Sequence, residues 1–147
     1  MSFNSRRDTI ASALRTDGGL GPNFRSDNLA TLFNLMGVAD APAPTAKTAD
    51  ATLTIAELLT GIITATKASA VALTLPDGEL VEAGVTLDND QGFSWSVINL
   101  GSSSGAVTMT AGTAHTYVGN AVVAISTSAR FLTRKTAANT YVTYRIS

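Results

Sequence analysis

The sequence predicts a mainly β domain, of sandwich or barrel-like build, preceded by a short helical arm. Three observations lead there. Segments such as Phe93-Ser94-Trp95-Ser96-Val97 and Thr140-Tyr141-Val142-Thr143-Tyr144 alternate apolar with polar or hydroxyl residues. A period of two sends successive side chains to opposite faces of a sheet. Gly-, Ser- and Asn-rich turns such as Gly101-Ser102-Ser103-Ser104-Gly105 punctuate these segments. No helical pattern alternates with the strands after residue 50, which argues for a sandwich or barrel over a βαβ sheet.

The chain divides near residue 50, into an arm with its linker (1–50) and an all-β domain (51–147). In the arm, Ser5-Arg6-Arg7-Asp8 fits an acidic variant of the capping box, with Ile10, Ala13 and Leu14 on one helical face and Gly18-Gly19 ending the helix. A loop at 19–23 leads to a second helix from Ser26 or Asp27 to Met36. Its stripe is Leu29, Leu32, Phe33 and Met36, at spacings of three and four, and Gly37 terminates it. Ala41-Pro42-Ala43-Pro44-Thr45 is an extended linker, because each proline disfavours helix at the residue before it. Helices shorter than about 12–15 residues are marginal alone. The stripe therefore needs a partner, either the chain's own β domain or a neighbouring subunit or larger particle.

In the second part, 52–55 reads as a first strand and 56–59 as a helical turn. Strands follow at 61–66 and 69–75, the latter with Val71, Leu73 and Leu75 on one face. Pro76-Asp77-Gly78 breaks the pattern, and 79–83 reads as a short helical turn. Further strands are expected at 93–98, 106–110, 114–118, 121–126, 129–134 and 140–146.

Composition excludes several functions. The 147 residues suffice for one domain with a core, and the charged fraction is 14% with a net charge of −1. That balance is far from the basic footprint of a nucleic-acid binder. With no cysteine, neither a disulfide framework nor a thiolate metal site exists. The most apolar run, 55–75, is interrupted by Glu57, Gly61 and Lys67, so no membrane span is expected. Arg6 and Arg7 are followed by Asp8 rather than an apolar stretch, so no signal peptide is expected, and the chain is expected to be used in a cytoplasm or assembled there into something larger.

Candidate chemistry is sparse, and the expectation is a protein that is not an enzyme and needs no cofactor or metal. His115 is the single histidine and reads as a partly buried, hydrogen-bonded side chain. Asp88-Asn89-Asp90-Gln91-Gly92 offers oxygen ligands but lacks the later glutamate of an EF-hand loop, so a turn is expected. Glu79 and Glu82 read as solvated carboxylates. Trp95 shares its face with Phe93 and Val97, which reads as core rather than a sugar platform. Arg130, Arg134 and Lys135 are too few for a nucleic-acid footprint. No glycine stretch fits a phosphate loop.

The run Thr52-Leu53-Thr54-Ile55-Ala56-Glu57-Leu58-Leu59-Thr60-Gly61-Ile62-Ile63-Thr64-Ala65-Thr66, followed by Ala72-Leu73-Thr74-Leu75-Pro76, resembles virion proteins of tailed bacteriophages. So do Phe93-Ser94-Trp95-Ser96-Val97-Ile98-Asn99, Val107-Thr108-Met109-Thr110-Ala111-Gly112-Thr113 and Val118-Gly119-Asn120. The ending Ala129-Arg130-Phe131-Leu132-Thr133-Arg134-Lys135-Thr136 with Tyr144-Arg145-Ile146 belongs to the same pattern. The resemblance covers roughly 51–147 and rests on many positions rather than one motif. It implies a jelly-roll-like β-sandwich of the trimeric capsid decoration (cement) type, held on the head shell by the major capsid protein. A fibre or receptor-binding module for host glycan is the alternative. The expected location is the capsid surface of a virion assembled in the host cytoplasm. The low charge of the β domain also suggests self-association, as a homotrimer or else a dimer. Leu29, Leu32, Phe33 and Met36 are the candidate capsid or subunit contact.

Overall fold

A computed structural model describes residues 41–102 and 104–147. The helices expected within 1–40, and with them Leu29, Leu32, Phe33 and Met36, lie outside the described residues. What is described is mainly β and forms two sheets, consistent with a β-sandwich.

In chain order the elements are β1 (Thr45–Lys47), β2 (Ala51–Thr52), α1 (Ile55–Leu58), β3 (Ile62–Ala65), β4 (Val71–Thr74) and α2 (Gly78–Gly84). Then follow β5 (Gly92–Asn99), β6 (Val107–Thr110), β7 (His115–Val118), β8 (Val122–Val123), β9 (Ser128–Ala137) and β10 (Thr140–Arg145). One sheet runs β1-β3-β5-β9-β10-β7 and the other β2-β4-β6-β8. From β1 to β6 the chain passes from one sheet to the other at every strand. Consecutive strands within a sheet therefore lie parallel: Thr45 pairs with Ile63 and Ile63 with Val97, while Leu73 sits between Ala51 and Met109. A parallel pair needs a crossover, most often a helix. Here a strand of the opposite sheet supplies it, so the lack of alternating helices does not make the sheet antiparallel. A jelly roll is built from antiparallel Greek keys. These parallel crossovers depart from that order, and antiparallel pairing is confined to β5 with β9, β9 with β10, and β6 with β8.

Two local differences from the sequence reading have clear causes. The expected strand at 52–55 is cut short because Thr54 caps α1. Its hydroxyl accepts from the Glu57 N–H, and the Glu57 carboxylate accepts from the Thr54 N–H, a complete capping box. The β unit also begins before residue 51. After Pro42 and Pro44 the extended chain joins the sheet as β1, and the Lys47 ammonium reaches Glu57 Oε1 at 2.5 Å. Being three residues long, β1 presents little unpaired edge.

Between the sheets lie Leu53, Leu58, Ile63, Val71, Leu73, Leu75, Val97, Val107, Met109 and Val123, with Trp95 stacked on Phe131 at 4.6 Å between ring centres. Val71, Leu73 and Leu75 share the buried face of β4 and its extension, as their alternation requires. Trp95 is core and not part of an exposed platform. Buried Asn99 holds the turn after β5: its amide nitrogen donates to the carbonyls of Gly105 and Val123, and its oxygen accepts from the Gly101 N–H. At the start of α2, a Cβ on Gly78 would stand 1.9 Å from the Asn139 carbonyl oxygen. Only glycine lets this helix approach the β9–β10 turn so closely.

Candidate contact surface

Alternation along β9, β10 and β7 sorts their side chains to two faces. Phe131, Thr133, Lys135, Tyr141, Thr143 and His115 are buried, whereas Arg130, Leu132, Arg134, Val142, Tyr144 and Val118 point the other way. The register puts Ser94, Leu132, Tyr144 and Val118 side by side across β5, β9, β10 and β7. In the adjacent rank Val142 lies between Arg134 and Thr116. Leu132, Val142 and Tyr144 are half-buried, Val118 is 45% exposed, and Ile146, just past β10, is 58% exposed. An outward sheet face normally carries polar residues when water covers it. This one carries a rank of large apolar side chains.

The nearby edge is stitched down by Arg145, whose guanidinium donates to the carbonyls of Asn120 at 3.1 Å and Val122 at 2.5 Å. Val122, 41% exposed, sits at this edge of the second sheet. Tyr117 donates to the Asn120 carbonyl at 2.8 Å; burial raises its phenol above the ordinary value, with the Arg145 charge opposing.

Behind the rank, the inward face is unusually polar. Trp95 Nε1 donates to Thr133 Oγ1 at 2.9 Å, Thr133 and Thr143 share a hydroxyl contact at 2.8 Å, and Thr143 Oγ1 stands 2.8 Å from His115 Nε2. His115 Nδ1 is 2.8 Å from the Pro76 carbonyl oxygen. Burial lowers the imidazole pKa below its ordinary value, opposed by the Pro76 hydrogen bond and the Asp77 charge. His115 thus joins the loop after β4 to the other sheet and is buried, at 2% exposure, more deeply than its sequence alone suggests. One rank further, Lys135 donates to Glu82 and to the Leu87 carbonyl, and Tyr141 donates to Glu82 Oε2 at 2.7 Å. The Lys135 bond and then the Tyr141 bond hold the Glu82 carboxyl below its ordinary value. Burial, reinforced by Glu82, drives the Tyr141 phenol well above its own.

Several residues read together from the sequence are separated by the fold. Arg130, Arg134 and Lys135 do not form one cluster: Arg130 is exposed, Arg134 pairs with Asp90, and Lys135 faces inward toward Glu82. Glu79 is exposed while Glu82 is engaged, so the two carboxylates do not act as a pair. The 88–91 segment is a turn, closed by the Gln91 N–H on the Asp88 carbonyl, with Asp90 at φ 70°. Among the described residues no group of three or more histidines and carboxylates could hold a metal ion. No helix among them is long and apolar enough to cross a membrane.

The outer rank escaped the sequence reading, although a signal was present. Phe131-Leu132 and Tyr141-Val142 place large apolar residues on both parities of adjacent strands, the pattern of a sheet covered on both faces. Comparison of the chain with protein-family models, with curated proteins and with solved structures returns no match.

Proposed function

We propose that this chain is a tailed-phage structural protein of the head-decoration type, which binds the outside of the capsid shell as an oligomer and stabilises it. The observation that supports this reading is the Leu132–Tyr144–Val118 rank on the outward face of a low-charge β unit, flanked by Val142 and Ile146. Fully burying a Leu, Val or Phe-sized side chain contributes about 1.5–3 kcal/mol. Several such anchors per copy suit either a homotrimer interface or a contact with the major capsid protein. Repetition around a symmetric oligomer then turns modest contacts into a lasting hold. The stripe Leu29, Leu32, Phe33 and Met36 is proposed as a second anchor. The proposal needs a rigid two-sheet body and a contact face; it does not need jelly-roll connectivity.

One observation favours the runner-up, a fibre or receptor-binding module. The parallel stacks β1-β3-β5 and β2-β4-β6, wound alternately through two sheets, follow the winding of β-solenoids, which extend by adding coils. Copy number in purified virions separates the two readings. Quantitative mass spectrometry giving hundreds of copies per particle supports decoration, a handful supports a fibre, and absence from the particle overturns both.

A further inference from the structure

The chain of hydrogen bonds through His115 has a forced polarity. Trp95 Nε1 can only donate and the Pro76 carbonyl oxygen can only accept. Nδ1 of His115 must therefore carry a hydrogen. In the neutral ring Nε2 then accepts from the Thr143 hydroxyl, which in turn accepts from the Thr133 hydroxyl, which accepts from Trp95. Four links are filled by four hydrogens, with none to spare. Thr133, Thr143, Trp95 and His115 are each at most 2% exposed, so water does not share the load.

A second proton on the ring upsets this count. Nε2–H must then donate to Thr143, whose own hydrogen turns back toward Thr133. That hydroxyl already accepts from Trp95, and its hydrogen is left without an acceptor in the chain. An orphaned buried polar group is costly to keep. We propose that His115 is an acid-sensitive latch on the β7–β10–β9–β5 strands, closed while its imidazole is neutral and released when it is protonated.

What is lost is the relay from His115 through Thr143 and Thr133 across β7, β10 and β9, while the Nδ1–H bond to the Pro76 carbonyl is kept. The groups facing His115 are the Asp77 carboxylate at the start of α2 and the Tyr141 ring on β10, 6.1 Å away between ring centres. Behind Tyr141 stand Glu82 on α2 and Lys135 on β9, bonded to each other. Asp77 favours the imidazolium, but its carboxylate is already bonded to the Thr113 N–H at 2.6 Å, and burial outweighs it. The folded-state value therefore lies below the ordinary 6.5. The stability contributed by the latch is complete above that value and is lost as pH falls from it toward the folded-state value. Nothing in this depends on what the outer rank contacts.

The test is denaturant unfolding of the intact protein from pH 8 to pH 4.5, beside His115→Gln, which keeps a donor and an acceptor but does not titrate. With a single histidine in the sequence, the difference between the two profiles isolates one group. The unfolding constant of the intact protein should rise below about pH 6.5, approaching tenfold per pH unit, the one-proton limit. His115→Gln should lack this limb and keep only the carboxylate-driven loss at lower pH. Nitrogen NMR of the imidazole at pH 7.5 should find the Nδ1–H tautomer. Coincident profiles between pH 6.5 and pH 5, or an Nε2–H tautomer, overturn the proposal. If His115→Gln does not fold, the NMR titration of the intact protein decides: protonation at or above pH 6.5 with native structure retained also overturns it.

Discussion

In strands β3, β4 and β6 the inward positions are Ile63, Ala65, Val71, Leu73, Val107 and Met109, and the outward ones include Thr64, Ala72, Thr74, Thr108 and Thr110. In β9, β10 and β7 the pattern is partly exchanged. Thr133, Lys135, Thr143 and His115 point in, while Leu132, Val142, Tyr144 and Val118 point out. Both regions obey the same period of two, yet they spend it differently. The first region gains its stability from apolar burial and tolerates water outside. The second carries a chain of paired hydrogen bonds inside and large apolar side chains outside. The proposed contact face rests on this outward rank of apolar residues.

The contrast can be broken first where apolar burial dominates. Leu73→Ala, at a fully buried site of β4, should cost about 2–5 kcal/mol in chemical denaturation, as large-to-small core changes do. Next, Thr143→Val removes the acceptor for Thr133 and the donor to His115 together. Each orphaned buried group costs about 1–3 kcal/mol, so with two of them the variant should lose stability on a scale comparable to Leu73→Ala. Combined with Thr133→Val, the losses should fall short of additive, because both residues belong to one chain of bonds. Additive losses would mean that the hydroxyls act separately. Smaller still, Thr54→Ala should cost about 1 kcal/mol by removing the α1 cap.

Lys135→Met tests the polar interior through pH. The Glu82 carboxyl is held below its ordinary 4.5, so its stabilising effect is present above that value and is lost as pH falls through the folded-state one. Without Lys135, whose hydrogen bond is the largest cause of that shift, the acid limb of a melting-temperature profile should flatten. An unchanged limb would assign the acid loss to other carboxylates, such as Glu57. There burial alone would raise the pKa, but the bonds from Lys47 and Thr54 reverse it.

Much of the β unit was legible in the sequence because alternation is a local signal. The strands at 93–98, 106–110, 114–118 and 140–146 are found within a residue or two of their places, and Trp95 lies in the core as its face implied. The Thr54–Glu57 box is also present in the sequence, where it overlaps the Thr52 to Ile55 run that reads as a strand. Strand partnership was not legible. Nothing in residues 45–47 states that they pair parallel with 63–65, since that register depends on where α1 and the turn at Gly61 return the chain. The polar interior was hidden for a related reason. Thr133 and Thr143 look like wet-face residues until the fold brings Trp95 and His115 to meet them.

The smallest effect on folding should accompany the largest effect on assembly. Leu132→Asp with Tyr144→Asp replaces two outward residues of the apolar rank and leaves every inward contact in place. Sedimentation of the intact protein and of this double variant at micromolar concentration, with thermal melts of both, tests the central claim most directly. The account predicts an oligomer, a trimer before a dimer, for the intact chain, and a monomer with a nearly unchanged melt for the double variant. A monomeric intact protein, or a variant that assembles as before, would contradict it.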